Sequence, residues 1–158
     1  MKTNETLRTI DNRRSTRAFK DEEISSEDKK EIFEAIINAP TAGNMMLYSV
    51  IDVTDQDKKD RLAVLCDNQP WIKTGKLILL FVTNSLRWYE SYNEVSDDDK
   101  LNPSLSDYYL SCNDALIAAE NAVIAGEALG IGSCYIGDII ENIEEGEEKR
   151  GTFQRGTD

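Results

Sequence analysis

Histidine is missing altogether from the 158-residue sequence. Its absence removes His-containing catalytic triads, His-ligated metal centres and the imidazole general base together. Cysteine is scarce: Cys66, Cys112 and Cys134 stand far apart and form no CxxC pair. Neither a zinc ribbon nor a thioredoxin-type redox motif is supported, and no bound metal is expected. Long apolar runs are lacking as well. The longest, Leu77 to Val82, is strand-sized, well short of the roughly 20 residues of a membrane-spanning helix. The opening stretch, Met1 to Asp11, has no apolar signal-peptide core. These absences predict a cytoplasmic chain with reduced thiols and no membrane partner. Positive charge is also in deficit: 18 Lys and Arg face 30 Asp and Glu, a net charge of -12. A general nucleic-acid partner is excluded on that ground, because phosphate neutralisation needs a cationic surface.

What is present fits one globular domain. Hydrophobic residues make up 40% and charged residues 30%, enough to bury a core at this length. Glu5 to Asn12 reads as a short helix. Ser25, with Asp28 three residues on, reads as the cap of a helix over Ser26 to Ala39, whose Ile32, Phe33, Ile36 and Ile37 share a face and which Pro40 ends. Leu47 to Val53 has strand composition, and Asp57 to Cys66 reads as a short helix. Leu77 to Thr83 is nearly continuous apolar, the pattern of a strand covered on both faces. Ser85 to Pro103, with Asp97, Asp98 and Asp99 in a row, reads as a surface excursion or lid. Leu105 to Leu129 is the longest helix candidate. Ala115, Ala118, Ala119, Ala122, Ala125 and Gly126 form its small-residue face, suited to a central core helix or, in part, to contact with a second subunit. Gly130 reads as its C-terminal cap, with a strand starting after it. The sum is an α+β domain with helices and strands in layers.

Four segments carry possible chemistry. From Arg8 to Lys20, five basic residues face a single acid, Asp11, a cationic island in an anionic chain. At its centre Arg13, Arg14 and Arg17 offer guanidinium forks and Ser15 a hydroxyl, donors suited to a phosphate group. Charge alone leaves open the other reading, in which these arginines pair with surface carboxylates. Thr41, Ala42, Gly43 and Asn44 follow the second helix; such a loop admits a flat ligand close to the backbone or is an ordinary turn. Gln69, before Pro70, offers an amide to something planar and polar. Between Gly132 and Gly137, Tyr135 and Ile136 lie in a glycine-flanked turn. Gly130, Gly132 and Gly137 miss the spacing of a Rossmann GxGxxG fingerprint.

Taken in order, Arg-Arg-Ser-Thr-Arg-Ala-Phe, Ala-Pro-Thr-Ala-Gly-Asn, Gln-Pro and Ala-Leu-Gly-Ile-Gly-Ser-Cys-Tyr-Ile-Gly resemble the nitroreductase family of FMN-dependent NAD(P)H oxidoreductases, over about Asp11 to Glu141. The resemblance implies a three-layer αβα fold with a mainly antiparallel central sheet. It implies a homodimer with one FMN near each end of the shared interface. Arg13, Arg14, Ser15 and Arg17 would hold the FMN phosphate and ribityl chain. Thr41, Ala42, Gly43 and Asn44 would reach the flavin of the partner subunit, Gln69 its ring or ribityl side, and Tyr135, Ile136 and Gly137 would lie along the isoalloxazine. NAD(P)H would be the co-substrate, and nitroaromatics, quinones or flavins the small-molecule acceptors. The chemistry would be carried by the cofactor, with no catalytic side chain.

The resemblance fades after Glu141. Residues 1–144 are expected to form the flavin-binding domain and residues 145–158 a poorly ordered tail, the chain reading as shortened at its C-terminus. Lys149, Arg150 and Arg155 lie there without a spacing that assigns them. A flavin-binding or interaction protein without turnover is therefore the alternative, and reductive dehalogenation or flavin fragmentation on the same scaffold a third.

Overall fold

A computed structural model of the chain describes residues 4–141. Each long helix begins where a short polar side chain satisfies a free amide. In α1 (Glu5–Asn12), Asn4 Oδ1 accepts from Leu7 N–H at 2.9 Å. In α2 (Ser26–Ile37), Ser25 accepts from Asp28 N–H at 3.0 Å and donates to Asp28 Oδ2 at 2.7 Å. Asp55 caps α3 (Gln56–Leu65), which a four-residue helix, α4 (Trp71–Thr74), follows. Ser104 and Asp107 make a reciprocal capping box at the start of α6 (Leu105–Ala128). That helix ends in a Schellman motif: Ile131 N–H donates to Gly126 O at 2.8 Å and Gly130 N–H to Glu127 O at 3.0 Å. Gly130 takes the left-handed φ of +78° that the motif requires.

Among the described residues the sheet is a two-stranded antiparallel ribbon, β1 (Tyr48–Asp52) with β2 (Leu79–Thr83), in register from Tyr48 opposite Thr83 to Asp52 opposite Leu79. Side-chain alternation sends its two faces into separate cores. Tyr48, Val50, Leu79 and Phe81 pack on Ile32 and Ile36 of α2 and Ala115, Ala118 and Ala122 of α6. Ile78 and Leu80 pack on Leu62, Ala63, Cys66 and Ile72 of α3 and α4. The three-layer order expected from the sequence is therefore present.

Four expectations need correction. Ser85 to Pro103 is not wholly excursion: Ser85–Val95 forms helix α5, with Trp88 and Tyr92 stacked one turn apart at 5.5 Å between ring centroids. The apolar strand is covered on both faces only through Phe81, because Val82 and Thr83 run past the helices and are exposed. The small-residue face of α6 serves this chain's own core, with Ala118 fully buried, so it is not free for a second subunit; the face left open carries Leu105, Tyr108, Tyr109 and Leu116. After Gly130 there is a single parallel bridge, Ser15 to Ser133, in place of a strand, and then a short helix, α7 (Asp138–Glu141). The predicted tail, 145–158, lies outside the described residues. Among the described residues no helix is long and apolar enough to cross a membrane.

Candidate functional site

The Arg13–Arg17 segment leaves α1 in extended conformation and runs beside the turn that follows α6. Thr16 N–H donates to Ser133 O at 2.8 Å, which seats the two segments side by side. The approach is close: a Cβ on Gly132 would lie 2.5 Å from Thr16 Oγ1 and 3.0 Å from its Cβ. Only glycine admits that spacing without displacement.

Arg14 turns back on its own helix end, where Nη1 donates to the carbonyls of Asp11 and Arg13, each at 2.8 Å. A cation there complements the partial negative charge of the last turn. Arg17 lies over the Trp71 ring at 5.9 Å from the centroid, a cation–π distance. Among the described residues no carboxylate pairs with Arg13, Arg14 or Arg17, whereas Arg8 pairs with Glu5 and Lys76 with Asp21 and Glu23. The centre of the cationic island is thus not consumed by the acids that outnumber it.

Gln69 joins the same side of the molecule. Its amide Nε2 donates to Asp138 Oδ2 at the start of α7, directly after Gly137. Tyr135 and Gly137 are exposed and Ile136 is half-buried among the α3 and α4 side chains. The Tyr135 hydroxyl donates to Glu120 Oε2 at 3.4 Å. Burial, then the Glu120 charge, pushes the phenol up to about 12, with Arg13 acting in the opposite sense. Asp67, Asp138 and Glu141 bring carboxylate oxygens within 4.8 Å of one another on the neighbouring rim. Burial, reinforced by Asp138 and Asp67, raises the Cys66 thiol above its ordinary value.

The Thr41–Asn44 loop stands apart. Ala42 N–H donates to Asp114 Oδ1 at 2.9 Å and Leu47 N–H to Asp114 Oδ2 at 3.3 Å, anchoring it to the middle of α6. Asp114 precedes Gly126 by 12 positions on that helix, about 18 Å at 1.5 Å per residue. No hydrogen bond, ion pair or ring contact joins residues 41–44 to residues 13–17 among the described residues. One chain therefore assembles Arg13, Arg14, Ser15, Arg17, Gln69, Tyr135, Ile136 and Gly137, and holds Thr41, Ala42, Gly43 and Asn44 elsewhere. The assembled part is an open face. Two shallow depressions, about 510 Å³ between α1 and the end of α6 and about 480 Å³ beside α3, are lined by none of these residues.

Sequence reasoning missed Trp71, Thr16, Asp138 and Asp114. Trp71 directly follows the Gln-Pro pair and was open to notice. Asp114 is a single acid directly beside Ala115, where an unpartnered carboxylate is costly to bury; that was the available signal for a buried anchor.

The sequence model of the nitroreductase family matches residues 10–145. Among curated proteins, the chain is 32% identical over 143 residues to an FMN reductase (NADPH) of Bacillus subtilis, covering 90% of this chain and 57% of that protein. It is 27% identical over 149 residues to an NADPH-flavin oxidoreductase of Vibrio harveyi, covering 94% and 60% respectively. Among solved structures, nitroreductase A from Vibrio parahaemolyticus superposes with a TM-score of 0.83 at 28% identity, over 95% of this chain and 62% of that one. An NADPH:FMN oxidoreductase from Vibrio harveyi complexed with NAD+ superposes with a TM-score of 0.77 at 28% identity, over 86% and 57%. The chain thus spans little more than half the length of these relatives.

Proposed function

The chain belongs to the nitroreductase family, and from that premise we propose that it binds FMN and acts as an NAD(P)H-dependent oxidoreductase on nitroaromatic, quinone or flavin acceptors. The observation that carries the reading is the set of three guanidinium groups, Arg13, Arg14 and Arg17, without carboxylate partners among the described residues, on a segment whose backbone is bonded to the turn after α6 at Ser133. Such donors fit a phosphate monoester. The narrow glycine-flanked turn fits a planar ring, and no side-chain base is needed.

When bound, FMN would supply two-electron, hydride-transfer chemistry between NAD(P)H and the acceptor. The chain's part is to bind and orient. Arg13, Arg14 and Ser15 hold the phosphate end, and Arg17 is kept in place by the Trp71 ring. Gln69 presents its remaining amide proton and carbonyl beside the turn, with Asp138 fixing its orientation. Backbone N–H groups of the Tyr135–Gly137 turn would supply donors for the negative charge that the reduced ring carries, a preorganised stabilisation.

The second half of the pocket comes from a second copy. Thr41, Ala42, Gly43 and Asn44 lie about 18 Å along α6 from the arginine side, too far to close on a ligand held there. A homodimer that places one chain's loop over its partner's arginines resolves this, and the exposed Leu105, Tyr108, Tyr109 and Leu116 offer apolar surface for it. The free Cys66, Cys112 and Cys134 fit a cytoplasmic setting.

A visible spectrum of the purified protein tests the reading. A flavin band should appear, bleach on addition of NADPH and return with a quinone. A colourless protein that takes up no added FMN refutes it. A second reading, favoured by the chain's spanning only 57% of the Bacillus subtilis relative, is flavin binding without turnover, which predicts the band without the bleaching.

A further inference from the structure

Asp114 is a buried acid that the flavin reading leaves without a task. It sits beside Ala115 on α6, 2% exposed, and no cation pairs with it among the described residues. Its two oxygens accept from Ala42 N–H and Leu47 N–H, at 2.9 Å and 3.3 Å. Those amides bracket the loop. Between them Gly43, Asn44 and Met46 take φ values of +57°, +57° and +51°. Glycine and asparagine tolerate the left-handed region; methionine is strained in it. Such a backbone persists only where its surroundings over-determine it. Here the carboxylate fastens both ends, and Thr41 Oγ1, just before the bracket, accepts from Met46 N–H within it at 3.3 Å.

We propose that Asp114 is a positioning residue that fixes the Thr41–Asn44 loop in the shape in which it meets the flavin held by a second copy of the chain. The inference rests on the flavin reading and adds to it the group on α6 that sets the loop. Asp114 touches neither cofactor nor acceptor and acts through the loop backbone. Only a carboxylate offers two acceptors at this spacing. An asparagine would turn an NH2 group toward one of the two amides and leave it unsatisfied.

The test compares wild type, Asp114→Asn, Asp114→Glu and Ala118→Gly. Glutamate keeps the charge but moves its oxygens by one methylene, and it serves if the asparagine variant does not fold. Ala118→Gly loosens the same helix one turn on from Asp114 and leaves both carboxylate acceptors in place. FMN affinity is read by quenching of flavin fluorescence, and loop order by hydrogen exchange at the Ala42 and Leu47 amides. Either Asp114 variant should weaken FMN binding about tenfold or more, as loss of a hydrogen bond to a charged group implies, and should speed exchange at both amides. Ala118→Gly should leave both readouts unchanged at a comparable loss of Tm. Wild-type affinity in the Asp114 variants, or a loss in Ala118→Gly that tracks Tm equally, overturns the positioning role while leaving the flavin reading in place. No FMN binding by wild type overturns both.

Discussion

Replacing Arg14 and Arg17 together by glutamate should strip the protein of flavin while leaving it folded. The two side chains contribute little to the fold. Arg14 makes two exposed hydrogen bonds to helix-end carbonyls, and Arg17 makes one ring contact at 5.9 Å. Two net hydrogen bonds at about 1 kcal/mol each and an exposed cation–π contact at about 0.5–1 kcal/mol set the loss of stability at about 2.5–3 kcal/mol, within what a domain of this size withstands. The effect on the ligand is larger. Two charge-assisted bonds to phosphate, at about 1.5–3 kcal/mol each, amount to roughly 3–6 kcal/mol, or about two to four powers of ten in Kd. FMN titration at fixed ionic strength, beside thermal melts of both proteins, separates the two magnitudes. Retention of stoichiometric FMN in the folded double variant would refute the phosphate assignment, and loss of the fold itself would refute the stability estimate.

Gly132→Ala should destabilise by about 1–3 kcal/mol through overpacking against Thr16, measurable as a lower urea midpoint, with Thr16→Ala in the same chain restoring part of it. Asp21 and Glu23 are held below their ordinary values of 3.8 and 4.5 by hydrogen bonds from Lys76. The stability they contribute is present above those values and lost as pH falls through the lower folded-state ones. Lys76→Met should therefore flatten the acid limb of a stability-versus-pH curve, and an unchanged limb would contradict the pairing. Tyr135, raised to about 12, protects the fold below pH 10 and loses that contribution between about 10 and 12. Tyr135→Phe should remove a late tyrosinate phase from an alkaline absorbance titration.

Much of this molecule was legible because its helices announce their own ends. Ser25 with Asp28 is a local signal read within one turn, and glycine is the residue type that fits the φ of position 130 cheaply. Helix α5 was not legible in the same way. Its Ser, Asn, Glu and aromatic content resembles loop composition, and its order draws on the Trp88–Tyr92 stack and the Asn84 cap, which appear only once the helix exists. The motifs placed Arg13–Arg17, Gln69 and Tyr135–Gly137 as candidates, but not their contacts. Arg17 meets Trp71, and Asp114 meets Ala42 across 72 positions. Such pairings depend on how α6 lies across the ribbon, which no local pattern encodes.

A ribbon of two five-residue strands is too small to persist in water unsupported. It survives here as a shared floor, roofed by α2 and α6 above and by α3 and α4 below. Neither roof can lift without exposing the floor on which the other rests. The two halves should therefore melt as a unit, and the slowest-exchanging amides on either side of the ribbon should share one protection ceiling rather than two.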